Sequence, residues 1–361
     1  MGRVREIEFR TILTAARTLT AAASDWSRIR KSDIVEALRP VPPTSVGPGP
    51  VFTFPEQEAQ LPTPVKAYKT YEEQVDLLVS RGMAIADREA AIRQLQHINY
   101  YRLSGYWYSF RRQGSSGRDD SFYTGTTFTD VVRLYSFDAS LRIATFASLT
   151  PIELALRALL GHALGTIDEC AHLNSALLGP RAGQGTSYAT WMQRYNKGLT
   201  DSKEDFVKHH RAKYGGTLPV WAAVEILDWG ALTYLYGFSP RQIQDDIADT
   251  FSLTAPQLES WMKSLNVLRN ICAHHGRLFN KVHALQPKLP NVGQLPALDH
   301  ARQEMNRTFG QLTLIQHMLK TLKVGRPQLL PALLRSYPDV QLLPISHIGA
   351  PPDWATSPLW S

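Results

Sequence analysis

The chain has 361 residues, and its 43% hydrophobic content is enough for a packed core, which excludes wholesale disorder. Lys+Arg 39 against Asp+Glu 32 leaves a formal charge of +7, a mild bias toward polyanionic partners such as nucleic acid. Two cysteines cannot build a disulfide framework, and no run approaches the ~18 unbroken apolar residues of a membrane span. The first residues lack the compact apolar run of a secretory signal, so the expectation is a soluble, cytoplasmic protein without a membrane partner.

Residues 1–40 read as a basic N-terminal extension, with Arg10, Arg17, Arg28, Arg30 and Lys31 among alanines and room for one or two short helices. Pro40, Pro42, Pro43, Gly47, Pro48, Gly49 and Pro50 make 41–68 a linker, expected to be extended over 41–64. Thr70-Tyr71-Glu72-Glu73 is a capping box, and Gly82 ends its helix. Asp87 starts a second helix that runs into Tyr100, Tyr101, Tyr106, Trp107 and Tyr108. Aromatics beside arginines can stack bases, but helical spacing favours core for these five.

Gln113–Ser121 reads as a polar loop, and Thr129 precedes a long apolar-periodic segment. Thr150-Pro151 either starts a new helix there or kinks the old one. Leu178–Gly198 reads as a glycine-rich excursion, and His209-His210 as a solvated or RNA-facing loop. Pro219 opens a helix through Leu232, and Pro240 and Thr254 mark two further starts. The last of these is expected to run unbroken through Phe279. A final amphipathic helix holds Met305 to Leu319, and 324–361 reads as a proline-rich tail. The class is all-α, one helical domain over 69–323.

Chemistry concentrates in Leu265–Asn280, LNVLRNICAHHGRLFN. Wound as one helix at about 100° per residue, it gathers Asn266, Arg269, Asn270, His274, Arg277 and Asn280 on one side around Ala273. His275 falls on the apolar side and reads as structural. The polar stripe contains no carboxylate, whereas a solvated helix face normally mixes signs. Arg, Asn and His at successive turns suit a phosphate, and a buried interhelical polar network is the equal alternative. Asp138, Arg142, Glu153 and Arg157 stand in otherwise apolar helices. They read as support for the site or contacts to RNA; for Asp138 and Glu153, interhelical ion pairing is favoured. No metal-binding spacing and no Walker-type glycine loop occurs, so no cofactor is expected.

Arg269–His274 resembles the R-x4-6-H motif of HEPN domains, and Leu268–Asn280 resembles the matching block of Abi-like abortive-infection proteins of the AbiD/AbiF type. Leu95–Tyr106, Tyr135–Asp138 with Leu141-Arg142, Ile152-Glu153 with Leu156-Arg157, and Pro219, Trp221 and Glu225 resemble further blocks in the expected order. The resemblance implies a HEPN-like helical bundle and, in catalytic members, a metal-independent endoribonuclease acting in phage defence. It would place catalysis on Arg269, Asn270 and His274. RNA contacts would fall to Arg277, Asn266 and Asn280, with His275, Asp138, Arg142, Glu153 and Arg157 in support. Proton carriers are needed on both sides of phosphorus, so the resemblance also implies a homodimer that pairs two motifs. Other readings are a non-catalytic RNA-binding protein, with an RNA partner or antitoxin, and a sensor scaffold of a defence system.

Overall fold

The computed structural model describes residues 65–361 apart from residue 116; the expectations for the N-terminal extension and for 41–64 lie outside the described residues. Thirteen α-helices follow one another, with several single 3-10 turns between them. They are α1 Tyr71–Ser80, α2 Arg88–His97, α3 Tyr100–Trp107, α4 Phe128–Gly165, α5 Ser187–Asp201, α6 Asp205–Lys213 and α7 Val220–Ala223. After these come α8 Trp229–Phe238, α9 Arg241–Asp249, α10 Ala255–Ala273, α11 Pro296–Asp299, α12 Thr308–Leu322 and α13 Leu329–Arg335. The all-α class holds.

Local signals placed most starts. Thr70 and Glu73 form the reciprocal capping box of α1, and Asp87 caps α2 through the Ala90 N–H. Thr254 and Gln257 do the same for α10. Asn99 accepts from the Tyr101 N–H and begins α3 as a separate helix, so the aromatic patch is not a continuation of α2.

The long helix α4 is the axis of the bundle, and α3, α7, α9, α10, α12 and α13 pack against it. It continues unbroken through Pro151, so the first-turn reading of Thr150-Pro151 does not apply. By length and composition α4 is also the one helix among the described residues that would cross a membrane; its Leu134, Leu141, Ile152, Leu156 and Leu160 are instead buried in the bundle.

Five expectations are corrected. Gln113–Ser121 is not a loop: β1 Arg111–Gly114 and β2 Gly117–Phe122 form a small antiparallel hairpin, the one sheet among the described residues. Arg118 ties it by donating to the carbonyls of Ser109 and Arg111, a link that period-two patterning does not reveal. The glycine-rich excursion contains α5, whose Trp191 and Tyr195 are buried, and His209-His210 lies on α6. The helix from Pro219 breaks after a turn, and Asp228 caps α8 afresh. Finally, α12 is buried on every side from Thr308 to Leu319 and is not amphipathic.

The reason α12 is enclosed lies in the segment expected to be a tail. Leu330, Leu334, Ile348, Trp354 and Trp360 are buried, and the Trp360 ring stacks on Phe309 at 5.0 Å. Residues 67–361 form one compact unit, so no domain edge falls at 323.

Candidate active site

The helix α10 carries the polar stripe, but it stops at Ala273. His274 leaves helical geometry at φ −95°, ψ 18°, and His275 turns left-handed at φ +56°. The Gly276 N–H then reaches back to the Ile271 carbonyl (2.7 Å) and the His275 N–H to that of Cys272 (3.2 Å), which caps the helix. A methyl on Gly276 would lie 2.9 Å from Ile271 Cγ2, so only glycine lets the chain fold back this tightly. The expectation of one helix through Phe279 is therefore wrong. So is the assignment of His275 to an apolar face: it is exposed beside His274.

What holds the folded-back segment is Asp138, fully buried on α4. Its carboxylate accepts from the N–H of Phe279 (2.7 Å) and of Leu278 (3.1 Å), from the Tyr106 hydroxyl (2.6 Å) and from Arg142. Burial pushes the Asp138 carboxyl above its usual range, opposed by Tyr106, Arg142 and the two N–H groups. Three of those four partners can only donate, so the geometry is built for the ionised form. The Leu278 carbonyl is pinned in turn by the Thr308 hydroxyl (2.7 Å), which accepts from His283 Nε2 (3.3 Å).

These anchors decide where the stripe residues go. Asn270 near the end of α10 and His274 at its cap are both exposed. Arg269 lies beside them, half-buried, its guanidinium 5.3 Å from the exposed Phe146 ring of α4. Its one hydrogen bond is a long 3.4 Å contact to Asn270, and its Nε is buried without a partner. Arg277 is carried by the fold-back, not by helical period, and its guanidinium lies over Gly105 of α3. Among the described residues no carboxylate takes either Arg269 or Arg277.

Asn280 and Asn266 are placed differently from the stripe. Asn280, at φ +48°, donates to Ser109 (2.8 Å) and accepts from Arg307 (2.8 Å), so both ends of its amide are engaged. Asn266 sits against Gly230 at the start of α8. Glu153 and Arg157 pair at 2.6 Å, and Arg157 also donates to the Leu227 carbonyl (2.8 Å), which fixes the turn ahead of α8. They brace Asn266's neighbours and do not reach the His274 turn directly. Cys272 is buried on the core side, and burial pushes its thiol up to about 12, so it carries no thiolate at neutral pH.

Sequence reasoning missed several residues that shape this region. Arg102 donates to the His275 carbonyl (2.7 Å), Tyr106 to Asp138, and Ser109 accepts from Asn280. The five-aromatic patch also divides: Tyr106 and Trp107 are core, while Tyr101 and Tyr108 are exposed, against expectation. The α3 helical wheel from Asn99 onward carried that signal, because 101, 105 and 108 share one face.

Two buried imidazoles make the fold acid-sensitive. Burial pushes both His283 and His172 down to about 4. Between pH 4 and about 6.5 the unfolded chain then binds more protons than the native one. Stability is therefore full above about pH 6.5 and falls on acidification, by about 2 kcal/mol for each histidine between pH 7 and 5. Denaturant titrations at the two pH values should show that loss, and His283→Gln should remove its own share, about 2 kcal/mol. An unchanged slope in the variant would mean that His283 is not held neutral.

Comparison with family models matches residues 93–280, more than half of the chain, to the family described as Abi-like protein. Comparison with curated proteins and with solved structures gives no match. The matched span opens within α2, contains α3 and α4 with Asp138, and ends on Asn280, the last residue of the fold-back. The chain belongs to the Abi-like protein family.

Proposed function

We propose that this protein is a metal-independent HEPN-type endoribonuclease of abortive-infection defence, acting in the cytoplasm. The observation that carries the reading is an exposed histidine at a helix end, flanked in the chain by Arg269 and Arg277, whose guanidiniums have no carboxylate partner among the described residues. Uncompensated arginines are costly to gather unless an anion joins them, and their planar forks match phosphate oxygens.

In this reading the RNA 2′-hydroxyl attacks its own phosphorus as a base removes the hydroxyl proton. Arg269 stabilises the charge on the phosphorane, and Asn270 orients His274 or a phosphate oxygen. An acid protonates the departing 5′-oxygen. The products are a cyclic 2′,3′-phosphate and a 5′-hydroxyl end. The test is cleavage of total RNA by purified protein in excess EDTA, with end-group analysis. Intact RNA, or 3′-hydroxyl ends, would sink the proposal.

Base and acid belong on opposite sides of phosphorus, so we assign the second proton carrier to His274 of a second copy. Ile143, Phe146 and Leu154 form an exposed apolar run on α4, 72%, 36% and 51% accessible, and Phe146 touches Arg269. A second copy covering that run would bring the two motifs together. Light scattering at micromolar concentration should show a dimer, and Ile143→Asp with Leu154→Asp should give a monomer with little cleavage. His275→Gly should keep cleavage and gain about 1 kcal/mol of stability, since glycine relieves the left-handed strain. Loss of cleavage in that variant would put the second proton carrier within one chain.

A further inference from the structure

We infer that Arg102 is a positioning residue for the His274 turn: its guanidinium clamps the His275 carbonyl and so fixes the direction in which the His274 imidazole leaves the end of α10. The inference rests on the ribonuclease reading of that turn, and it adds a residue that acts on the imidazole without touching RNA.

His274 points one way only if the backbone on both sides of it is held. On the inner side the helix does this, with the His274 N–H donating to the Asn270 carbonyl at 3.0 Å. On the outer side the chain passes through His275 at φ +56°. An L residue keeps that conformation only where its surroundings over-determine it. The peptide unit that follows is gripped at both ends. Its N–H, from Gly276, donates to the Ile271 carbonyl at 2.7 Å, and its carbonyl, from His275, accepts from Arg102 at 2.7 Å. A peptide unit is planar, so two grips on opposite edges fix its plane.

Arg102 is itself well seated for the task. It reaches the turn from α3, 173 positions upstream, and its guanidinium lies 5.7 Å from the centroid of the Tyr135 ring of α4. Tyr135 stands edge-on to Tyr106, with ring centroids 5.4 Å apart, and the Tyr106 hydroxyl donates to Asp138. The clamp therefore rests on the same aromatic pair that leads to the carboxylate holding Leu278 and Phe279. A cation also suits the C-terminal end of a helix, where carbonyls are left without donors. Among the described residues no carboxylate pairs with Arg102, so nothing draws it away from the His275 carbonyl.

A direct phosphate contact is the rival role for this cation, and the two roles change different quantities. A positioning residue sets the rate of the chemical step and leaves affinity alone. A phosphate contact sets affinity and contributes about 0.7 to the salt slope on a single strand. Backbone strain separates them again. Glycine at 275 adopts the left-handed conformation freely, so the turn then depends far less on the clamp. A phosphate contact gains nothing from that change.

The test uses the full chain and a fluorescein-labelled, single-stranded oligoribonucleotide of mixed sequence. Arg102→Met keeps an apolar stem over Tyr135 and removes every donor. It should lower kcat by about 10²-fold, the cost of a catalytic group about 1 Å out of place, with KM within about twofold of the parent. In a His274→Ala background, which silences cleavage, Arg102→Met should leave affinity and salt slope unchanged by anisotropy. Adding His275→Gly to Arg102→Met should restore at least about tenfold of the lost rate, and Arg102→Lys should keep part of it, since an ammonium still donates to the carbonyl. Hydrogen exchange reads the turn without RNA: Arg102→Met should quicken exchange of the Gly276 amide by about tenfold, and His275→Gly should slow it again. A weaker affinity with a shallower salt slope, or a rate that His275→Gly does not restore, would overturn the positioning role. A parent chain that cleaves nothing removes the ribonuclease reading alone. The Gly276 exchange then decides the clamp, quickened and reversed if Arg102 holds the turn, unchanged if it does not.

Discussion

On the proposed ribonuclease reading, His274→Ala and Arg269→Ala should each lower the RNA cleavage rate by roughly 10²- to 10³-fold, or about 2.7–4 kcal/mol of transition-state stabilisation. Neither should unfold the protein, and the structure says why. His274 is exposed at the helix end, so its removal opens no cavity. Arg269 makes one long hydrogen bond and one contact with the Phe146 ring, worth together about 1 kcal/mol. The loss in rate thus exceeds any loss in stability. Arg269→Lys separates charge from shape: it keeps the charge but loses the forked donors, so it should recover only part of the rate. Growth arrest on induced expression, cleavage in EDTA and thermal melts, read together for each variant, decide the matter. A His274→Ala protein that still arrests growth and cleaves normally would end the catalytic assignment.

How far the site could be read from sequence depends on which forces place each residue. Arg269 and Asn270 are legible because they lie within α10, where 3.6-residue periodicity governs, and His274 because it is the residue that caps it. The capping boxes at Thr70 and Thr254 are legible for the same reason, being local. Arg277 lies over Gly105 for a reason that no window contains: Asp138, 140 positions upstream, fixes the Leu278 N–H and bends the chain back. Wheel geometry put Arg277 on the stripe by a period that ends at Ala273, and it misplaced His275 and Asn280 altogether. The helix stop was also disguised. Glycine usually occupies the left-handed position after a helix, but here a histidine takes it and glycine follows one residue later. The segment after 324 misled through its prolines, although its leucines and tryptophans complete the cover of α12.

The largest effect on stability should come from Asp138→Ala, at a residue fully buried in the bundle. Removal of this carboxylate strands the buried Arg142 guanidinium, the Tyr106 hydroxyl and two backbone N–H groups at once. Breaking a buried ion pair from one side costs about 3–5 kcal/mol, because the remaining charge loses its partner without regaining water. In a unit of this size that corresponds to a fall in melting temperature on the order of 10 °C. Asp138→Asn should cost less, since an amide oxygen still accepts from Leu278 and Phe279 while its NH2 group faces Arg142 as a donor against donors. Joint replacement, Asp138→Leu with Arg142→Met, should recover much of the loss, because an apolar pair leaves no stranded charge. It cannot restore the fold-back, whose two N–H groups still lack an acceptor. Cleavage should therefore stay depressed in the double variant below its melting temperature, with Arg277 released from α3. Full activity in that variant would show that the fold-back does not position the site, and that Asp138 serves the bundle alone.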